Sequence, residues 1–290
     1  MKRLTLPAQP DAEILDALSQ NHRLGSYPFL LNQLDEMKQR YVDYANVGGD
    51  PWTVGDALDI PEELVAAMKR HYETPPQALP FLSELRERGS PDVCSMCGSS
   101  KTGTLDHFLP KDDFPEFAIY APNLVPACDC NTKRRTNYKG GLVGERALHP
   151  YFDEILTKRL AFVRLSGNLT SPLVDIAAID DGVSAEQALS LQFHISSVLT
   201  ASSLVVWASA KWAALCRDPE GMLLGLPNGM LTVDHIRDAL QVRLNGADRE
   251  HGTPNNWYSM VFYGVLQSHG ALAHIHGRVL AERDGANDML

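Results

Sequence analysis

Residues 94–135 read CSMCGSSKTGTLDHFLPKDDFPEFAIYAPNLVPACDCNTKRR and carry two close cysteine pairs. The first pair has the spacing Cys94-x-x-Cys97, and the second has the tighter spacing Cys128-x-Cys130. Four thiolates are the donor set of a closed, tetrahedral structural zinc site. We therefore predict Zn²⁺ bound by all four cysteines, against the alternative of four buried core cysteines. The single spacer residue of the second pair leaves open whether the fourth ligand completes the site.

The sequence between and after the cysteine pairs predicts two short strands and a helix. Residues 105–110 read as a strand that ends at a proline, residues 123–126 read as a second strand, and a helix begins at the second cysteine pair. Zinc would then fasten a hairpin that is too small to be stable alone to the start of a helix. Neighbouring side chains on a strand point to opposite faces. Asp106 and His107 can therefore serve one site only where the strand ends and the chain bends.

In this arrangement the segment resembles the HNH endonucleases, the zinc-stabilised branch of the ββα-metal nucleases. Asp106-His107, Asn123 and Cys130-Asn131 stand where that family has its Asp/His-His pair, its middle Asn and its closing His or Asn. The flanking sequences DHFLP and NLVPAC are also similar to those of family members. Without this context, the Asp-His pair would be interpreted as a surface Asp beside a half-buried His.

The resemblance implies hydrolysis of phosphodiester bonds in nucleic acid. His107 would be the general base that deprotonates water, because imidazole is neutral and basic near pH 7. Asp106 and Asn131 would offer hard oxygen ligands to a single Mg²⁺ or Mn²⁺, which is distinct from the zinc. Asn123 would hold the loop or orient the imidazole. The expected catalytic residues are therefore Asp106, His107, Asn123 and Asn131.

Residues 131–146 form a short basic segment with five basic residues and one acidic residue. Lys133, Arg134 and Arg135 are predicted to reach substrate phosphates, the two arginines from the helix face that carries Asn131. The alternative for this trio is a solvated charged face. His149 precedes a proline and two aromatic residues, so a turn packed on the core is its first interpretation and contact with substrate its second.

The fold class that follows is α+β and mainly helical, with the zinc-stapled hairpin-helix module between helical regions. We predict a helical N-terminal region at 1–90, the ββα-metal module at 91–150, and a mixed, mostly helical C-terminal region at 151–290 that is a candidate for partner binding. The last N-terminal helix is expected to end at residues 89–91, which read Gly-Ser-Pro.

Several elements of the C-terminal region are predicted individually. Residues 159–165 and 173–179 read as two strands that pair. Ser184, with Gln187 three residues later, has the form of a capping box that opens a helix. A further helix is expected from residue 232 to residue 244, with Gly246 as its terminator.

The composition predicts a folded chain, since 44% hydrophobic and 21% charged residues are typical of globular proteins. No stretch of about 18 apolar residues is present for a membrane span. The first residues turn polar before the apolar part of a signal peptide could form. We therefore expect a cytoplasmic protein without membrane contact, in which clustered cysteines bind metal rather than form disulfides.

The net charge of −10 argues against a general nucleic-acid binder. Substrate would then be held only near residues 131–146, or a partner protein would supply the groove. The chain is similar to the HNH component of bacterial antiphage systems of the Septu type, some of them associated with retrons, which pairs with an ATPase. This implies a regulated effector nuclease, with DNA as the favoured substrate. The alternatives are a non-catalytic, zinc-organised adaptor protein and an RNA-cleaving toxin.

Overall fold

The computed structural model describes residues 1–87 and 92–285, and it has a mainly helical α+β fold. Its α-helices are α1 (Asp11–Ser19), α2 (Phe29–Asn32), α3 (Leu34–Asn46), α4 (Glu62–Glu73), α5 (Phe81–Glu87), α6 (Cys130–Arg134), α7 (Ala185–His194), α8 (Leu204–Arg217), α9 (Pro219–Met222), α10 (Val233–His251), α11 (Trp257–Gln267) and α12 (His269–Arg283). Its strands are β1 (Thr104–His107), β2 (Leu124–Ala127), β3 (Ala161–Ser166) and β4 (Leu173–Ala178). The predicted α+β class is confirmed. The helix end expected at residues 89–91 and the region boundary after residue 90 lie outside the described residues.

The candidate segment forms a small antiparallel hairpin followed by a short helix. In the β1–β2 register, Asp106 lies opposite Val125 and His107 lies opposite Leu124. The chain between the strands folds over the hairpin through 3₁₀ turns at Pro115–Phe117 and Ala121–Asn123. Helix α6 begins shortly after β2, at the second cysteine pair. The strand, strand and helix expected from the sequence are therefore present in that order.

The C-terminal region is built around the second hairpin. β3 and β4 pair in antiparallel register, as the sequence predicted, and α11 packs against β3 with α10 and α12 beside it. The capping box at the start of α7 is also confirmed. The Ser184 hydroxyl accepts from the Gln187 backbone N–H at 3.2 Å, and the Gln187 amide oxygen accepts from the Ser184 N–H at 3.0 Å.

Helix α10 does not stop where the sequence predicts. It runs through Gly246 to His251 and is capped by Gly252, which adopts a left-handed φ of 61°. Leu244 and Ala247 are both buried on the inner face of α10, so the apolar stripe continues across the glycine. Burial on that face outweighs the cost of an interior glycine, which is about 1 kcal/mol relative to alanine.

Helix α7 continues into a π-helical segment, Ile195–Leu199, and the chain then turns into α8. Within the described ranges, no single helix is long and apolar enough to cross a bilayer. The segments Ala185–Leu199 and Leu204–Arg217 reach the length and hydropathy of a membrane span only when they are taken together, and the chain bends by 78° between them.

The three regions expected from the sequence share one hydrophobic core, which extends from α1 to α12. The N-terminal helices contact the loop between β1 and β2, where the Tyr44 ring of α3 lies 4.8 Å from that of Phe117. The C-terminal helices contact the turn before β1, where the Trp257 indole of α11 donates to the Cys97 carbonyl at 2.8 Å. The candidate segment is therefore positioned by elements that are distant in the sequence.

Two glycines on helices offer a matched test of this packing. A Cβ at Gly264 of α11 would collide with the Val163 carbonyl of β3, whereas a Cβ at Gly246 of α10 would meet nothing within 4 Å. We expect Gly264→Ala to lower the free energy of unfolding by about 3 kcal/mol, because backbone of both elements must move. Gly246→Ala should raise it by up to about 1 kcal/mol. Urea denaturation measures both, and destabilisation by Gly246→Ala would contradict a continuous α10.

Candidate active site and metal centre

Four buried cysteines form a compact cluster that can hold a metal such as zinc. The sulfur atoms of Cys94, Cys97, Cys128 and Cys130 all lie within 4.8 Å of one another. Cys94 Sγ is 3.7 Å from Cys130 Sγ, and Cys97 Sγ is 3.5 Å from Cys128 Sγ. A tetrahedral Zn²⁺ with Zn–S bonds of about 2.3 Å requires sulfur separations of about 3.8 Å. The donor set therefore fits zinc, and the tight Cys128-x-Cys130 pair supplies both of its sulfurs.

Backbone N–H groups already point at these sulfurs. Cys94 Sγ accepts from the N–H groups of Cys97 at 3.5 Å and Cys128 at 3.3 Å. Cys128 Sγ accepts from the Cys130 N–H at 3.3 Å. Such hydrogen bonds favour the thiolate over the thiol, and the thiolate is the form that binds metal.

The first cysteine pair is anchored by the C-terminal region. His194 of α7 donates from Nε2 to the Met96 carbonyl at 2.8 Å, and its Nδ1 accepts from the Leu148 N–H at 3.0 Å. Gly98 adopts a left-handed φ of 83°, and a Cβ there would collide with the Asn255 carbonyl. The turn between Cys94 and Cys97 is thus fitted closely against the helices that follow it in sequence.

The two faces of β1 carry different chemistry. Thr104 and Asp106 point towards α6, where the Thr104 hydroxyl accepts from the Asn131 amide at 3.2 Å. The Asp106 carboxylate accepts from Arg134 Nη2 at 2.8 Å. His107 lies on the opposite face, at the last position of the strand, so the two members of the Asp-His pair diverge.

His107 is buried and its tautomer is fixed by one hydrogen bond. Nε2 lies 2.9 Å from the Ala118 carbonyl, which can only accept, so Nε2 carries the proton. In the part of the chain that the structure describes, Nδ1 makes no hydrogen bond. The pKa of His107 is lowered to about 4, mainly by burial, and the cationic side chains of Lys111 and Arg86 contribute in the same direction. The ring is therefore neutral near pH 7, with its free lone pair on Nδ1.

Asn123 holds the loop between the strands. Its amide oxygen accepts from the Leu109 N–H at 2.8 Å and from the Tyr44 hydroxyl at 3.0 Å. Its amide nitrogen donates to the carbonyls of Leu109 at 3.0 Å and Phe117 at 3.2 Å. The fully buried side chain meets its hydrogen-bonding requirements with the loop and Tyr44, and among the described residues it makes no hydrogen bond to the His107 ring.

Asp106 and Asn131, which the resemblance implies as ligands of one divalent ion, each have other hydrogen-bond partners in this arrangement. Asp106 is occupied by Arg134, and the Asn131 amide oxygen accepts from the backbone N–H and the hydroxyl of Thr132. Burial raises the pKa of the Asp106 carboxyl, while the Arg134 guanidinium opposes that rise. A Mg²⁺ or Mn²⁺ site at these two residues would need both side chains to change partners.

The expected phosphate contacts are also altered. Arg134 is only 2% exposed, and it is turned inward to Asp106. Lys133 is paired with Asp129 at 3.0 Å and donates to Ser203 at 2.7 Å. Arg135 is exposed, but α6 has ended there and its φ of 55° takes it off the helix face.

His149 is fully buried, so the expectation that it contacts substrate is corrected. Its Nδ1 accepts from the Tyr151 N–H at 3.2 Å, and its Nε2 lies 3.0 Å from the Tyr44 hydroxyl. Tyr44 in turn donates to Asn123, so His149 is linked to the loop between the strands by two successive hydrogen bonds. The turn packed on the core is the interpretation that these contacts support.

Three residues at the site were missed in the sequence. The Tyr72 ring of α4 packs edge-on against the His107 ring with centroids 4.2 Å apart. Arg86 lies 4.6 Å and Lys111 lies 5.3 Å from the centroid of the Tyr72 ring. Two of these residues precede the candidate segment in sequence, so no local motif could associate them with it. Lys111 lies inside the segment, but nothing in its spacing distinguishes it from other surface lysines.

Comparison with known proteins gives one distant relative. The chain is 27% identical over 176 residues to protein ea31 of Escherichia phage lambda, in an alignment that covers 53% of this chain and 57% of that protein. The chain thus spans little more than half the length of the curated relative that it matches. No family model matches the chain, and no solved structure matches it.

The metal centre is tested by comparing two cysteines. Cys130→Ser should release zinc and destabilise the chain by several kcal/mol, because the cluster loses a thiolate and three ligands no longer close the site. Cys216→Ser is the matched control, since Cys216 lies outside the cluster and should leave the metal content unchanged. Elemental analysis and thermal unfolding measure both effects. A Cys130→Ser chain with full zinc content and an unchanged Tm would contradict the assignment.

Three buried histidines predict loss of stability in mild acid. Burial lowers the pKa of His107 to about 4, and those of His149 and His194 to about 3, from an ordinary value of 6.5. Below pH 6.5 these histidines bind protons in the unfolded chain but stay neutral in the folded chain, so the free energy of unfolding falls. We expect a loss of about 1 kcal/mol per histidine between pH 7.5 and 5.5. Urea denaturation at each pH, with zinc retention checked, measures it; a pH-independent midpoint would contradict neutral burial.

Proposed function

We propose that this chain is a nuclease of the HNH type, which hydrolyses phosphodiester bonds in nucleic acid, with DNA as the favoured substrate. The observation that carries the proposal is the hydrogen bond from His107 Nε2 to the Ala118 carbonyl at 2.9 Å. It leaves the lone pair of a neutral imidazole on Nδ1 at the end of β1. Such a positioned lone pair is what a general base needs to take a proton from an attacking water molecule.

The electrostatic surroundings of His107 are consistent with this role. A base with a pKa of about 4 is unprotonated near pH 7, but it is also weak. An approaching phosphate would favour the imidazolium form and raise that pKa, because an anion stabilises a nearby cation. Arg86, which stands close to His107, offers positive charge to the same phosphate, whereas Lys111 is paired with Glu73 at 2.7 Å and would have to leave it.

The order β1, β2, α6 around four cysteines also supports the proposal, because it is the order that the HNH resemblance implies. We propose Zn²⁺ as the structural ion and Mg²⁺ or Mn²⁺ as the catalytic cofactor. Asn123 acts in this proposal as the residue that positions the loop above His107. Asp106 is the carboxylate that a catalytic cation would neutralise, and Arg134 neutralises it in the described arrangement.

The charges of the basic segment favour a partner protein. Arg134 is paired with Asp106, Lys133 with Asp129, and Arg146 with both Asp50 and Asp153. Paired cations contribute little to phosphate binding, and the chain as a whole carries −10. We therefore propose that a partner protein contributes much of the affinity for nucleic acid. The resemblance to Septu implies that this partner is an ATPase of an antiphage defence system.

The adaptor function remains the second candidate because of one observation. The ion pair with Arg134 blocks the Asp106 carboxylate, which a nuclease of this type would use to bind its catalytic cation. If the pair is permanent, the cysteine cluster only organises a binding surface. An RNA-cleaving toxin differs from the leading proposal only in substrate, so RNA belongs in the same assay.

The proposal is tested with His107→Ala, and with His22→Ala as the control at an exposed histidine. We expect His107→Ala to reduce cleavage at least about 100-fold, since a general base contributes that much, while zinc content and folding are retained. His22→Ala should cleave like the wild type. Nicking of supercoiled DNA and cleavage of RNA are measured with Mg²⁺ and with Mn²⁺, with and without co-purified protein.

Two outcomes count against the proposal. If His107→Ala cleaves at the wild-type rate, His107 is not the base. If the wild-type chain with its partner cleaves neither DNA nor RNA, the adaptor function replaces the nuclease.

A further inference from the structure

Arg134 and Asp106 form a closely shielded ion pair between α6 and β1. Arg134 Nη2 lies 2.8 Å from Asp106 Oδ2 and also donates to the His107 carbonyl at 3.1 Å. The exposed fractions of the two side chains are only 2% and 16%. The guanidinium therefore fills the space beside the carboxylate and is itself nearly removed from solvent.

The position of Arg134 leaves part of its hydrogen-bonding capacity unused. Nε and Nη1 are buried and have no hydrogen-bond partner among the described residues. A buried N–H without an acceptor is unfavourable, and it is especially so on a charged group. Arg134 thus satisfies Asp106 without being fully satisfied itself.

The second residue expected at this site is also engaged elsewhere. Asn131 donates to Thr104 at 3.2 Å, and its amide oxygen accepts from Thr132. Asp106 Oδ2 and the Asn131 amide oxygen each accept a hydrogen bond from another residue in this arrangement. A dication beside Asp106 would meet the guanidinium within a few ångströms and be repelled by it.

We infer that the described arrangement is a closed state, in which Arg134 occupies the place of the divalent cation at Asp106 and the two cations compete for this carboxylate. This inference rests on the proposed function. Opening releases Arg134 from Asp106, and a substrate phosphate is the acceptor that can take its three unused N–H bonds. A divalent cation that displaces Arg134 from Asp106 and a phosphate that accepts from Arg134 therefore favour the same open state.

The test measures metal binding directly rather than cleavage. Mn²⁺ binding to the full chain is followed by electron paramagnetic resonance for the wild type, Arg134→Met and Lys133→Met. Arg134→Met should bind Mn²⁺ about tenfold tighter or more than the wild type, because the competing cation is gone. Lys133→Met removes the same charge from the adjacent exposed position and should leave the affinity unchanged. Asp106→Asn combined with Arg134→Met should lose the tight binding.

Equal Mn²⁺ affinities of Arg134→Met and the wild type would overturn the inference, as would an equal gain in Lys133→Met. Zinc content and circular dichroism report whether Arg134→Met folds. A second measurement uses only the wild type, in which arginine side-chain ¹⁵N signals are followed as Mg²⁺ is added. We expect a shielded guanidinium signal to shift or disappear. If no arginine signal changes across the titration, Arg134 does not leave and the inference is wrong.

The outcomes separate this inference from the proposed function. If Arg134→Met binds Mn²⁺ tightly but no variant cleaves nucleic acid, the competition between Arg134 and the divalent cation is supported and the proposed nuclease function is wrong. If the wild type cleaves nucleic acid in the presence of a chelator that removes Mg²⁺ and Mn²⁺, the nuclease function is supported and the competition is wrong. Arg134 would then itself be the cation that acts at Asp106.

Discussion

The four-cysteine cluster is the constraint on which the candidate site depends. It joins the turn before β1 to the start of α6, so it fixes where α6 lies against the hairpin. A two-stranded hairpin with short strands has too little buried surface to be stable alone. With the thiolates converging, Asn131 and Arg134 are brought onto the face of β1 that carries Thr104 and Asp106. A metal bound by the four cysteines would therefore also fix the geometry of the site.

A second constraint acts on the opposite face of the hairpin. The loop after β1 is long, and its backbone groups would be unsatisfied without Asn123. Asn123 is in turn held by Tyr44, which receives a hydrogen bond from His149. The carbonyl of Ala118 that fixes the His107 tautomer belongs to this same loop. Tyr44 of α3 and His149 thus help to hold the loop that fixes the tautomer of His107, although both are distant from His107 in the sequence.

The sequence predicts local features well where one residue type has one physical reason to be there. The two cysteine pairs, the strands around Asp106 and Asn123, and the Ser184 capping box are each marked by residue types within a short stretch of sequence. The sequence could not predict that Arg134 turns inward, because the charge of a side chain does not determine whether it pairs with solvent, substrate or a nearby carboxylate. The same holds for Tyr72, which reaches His107 from α4, and for Gly246, where burial on one helix face overrides a residue that ordinarily ends helices.

The charge distribution of the chain has one explanation that unites its separate parts. An acidic protein whose few clustered cations are mostly paired internally holds polyanions weakly by itself. Under the proposed nuclease function, the free chain would cleave little, since weak binding and an Asp106 neutralised by Arg134 would both oppose reaction. Any partner that contributes positive charge next to α6 would raise the local concentration of phosphate and give Arg134 a competing acceptor. Restraint and activation would then follow from the same pair of charges, and no additional inhibitory segment would be needed.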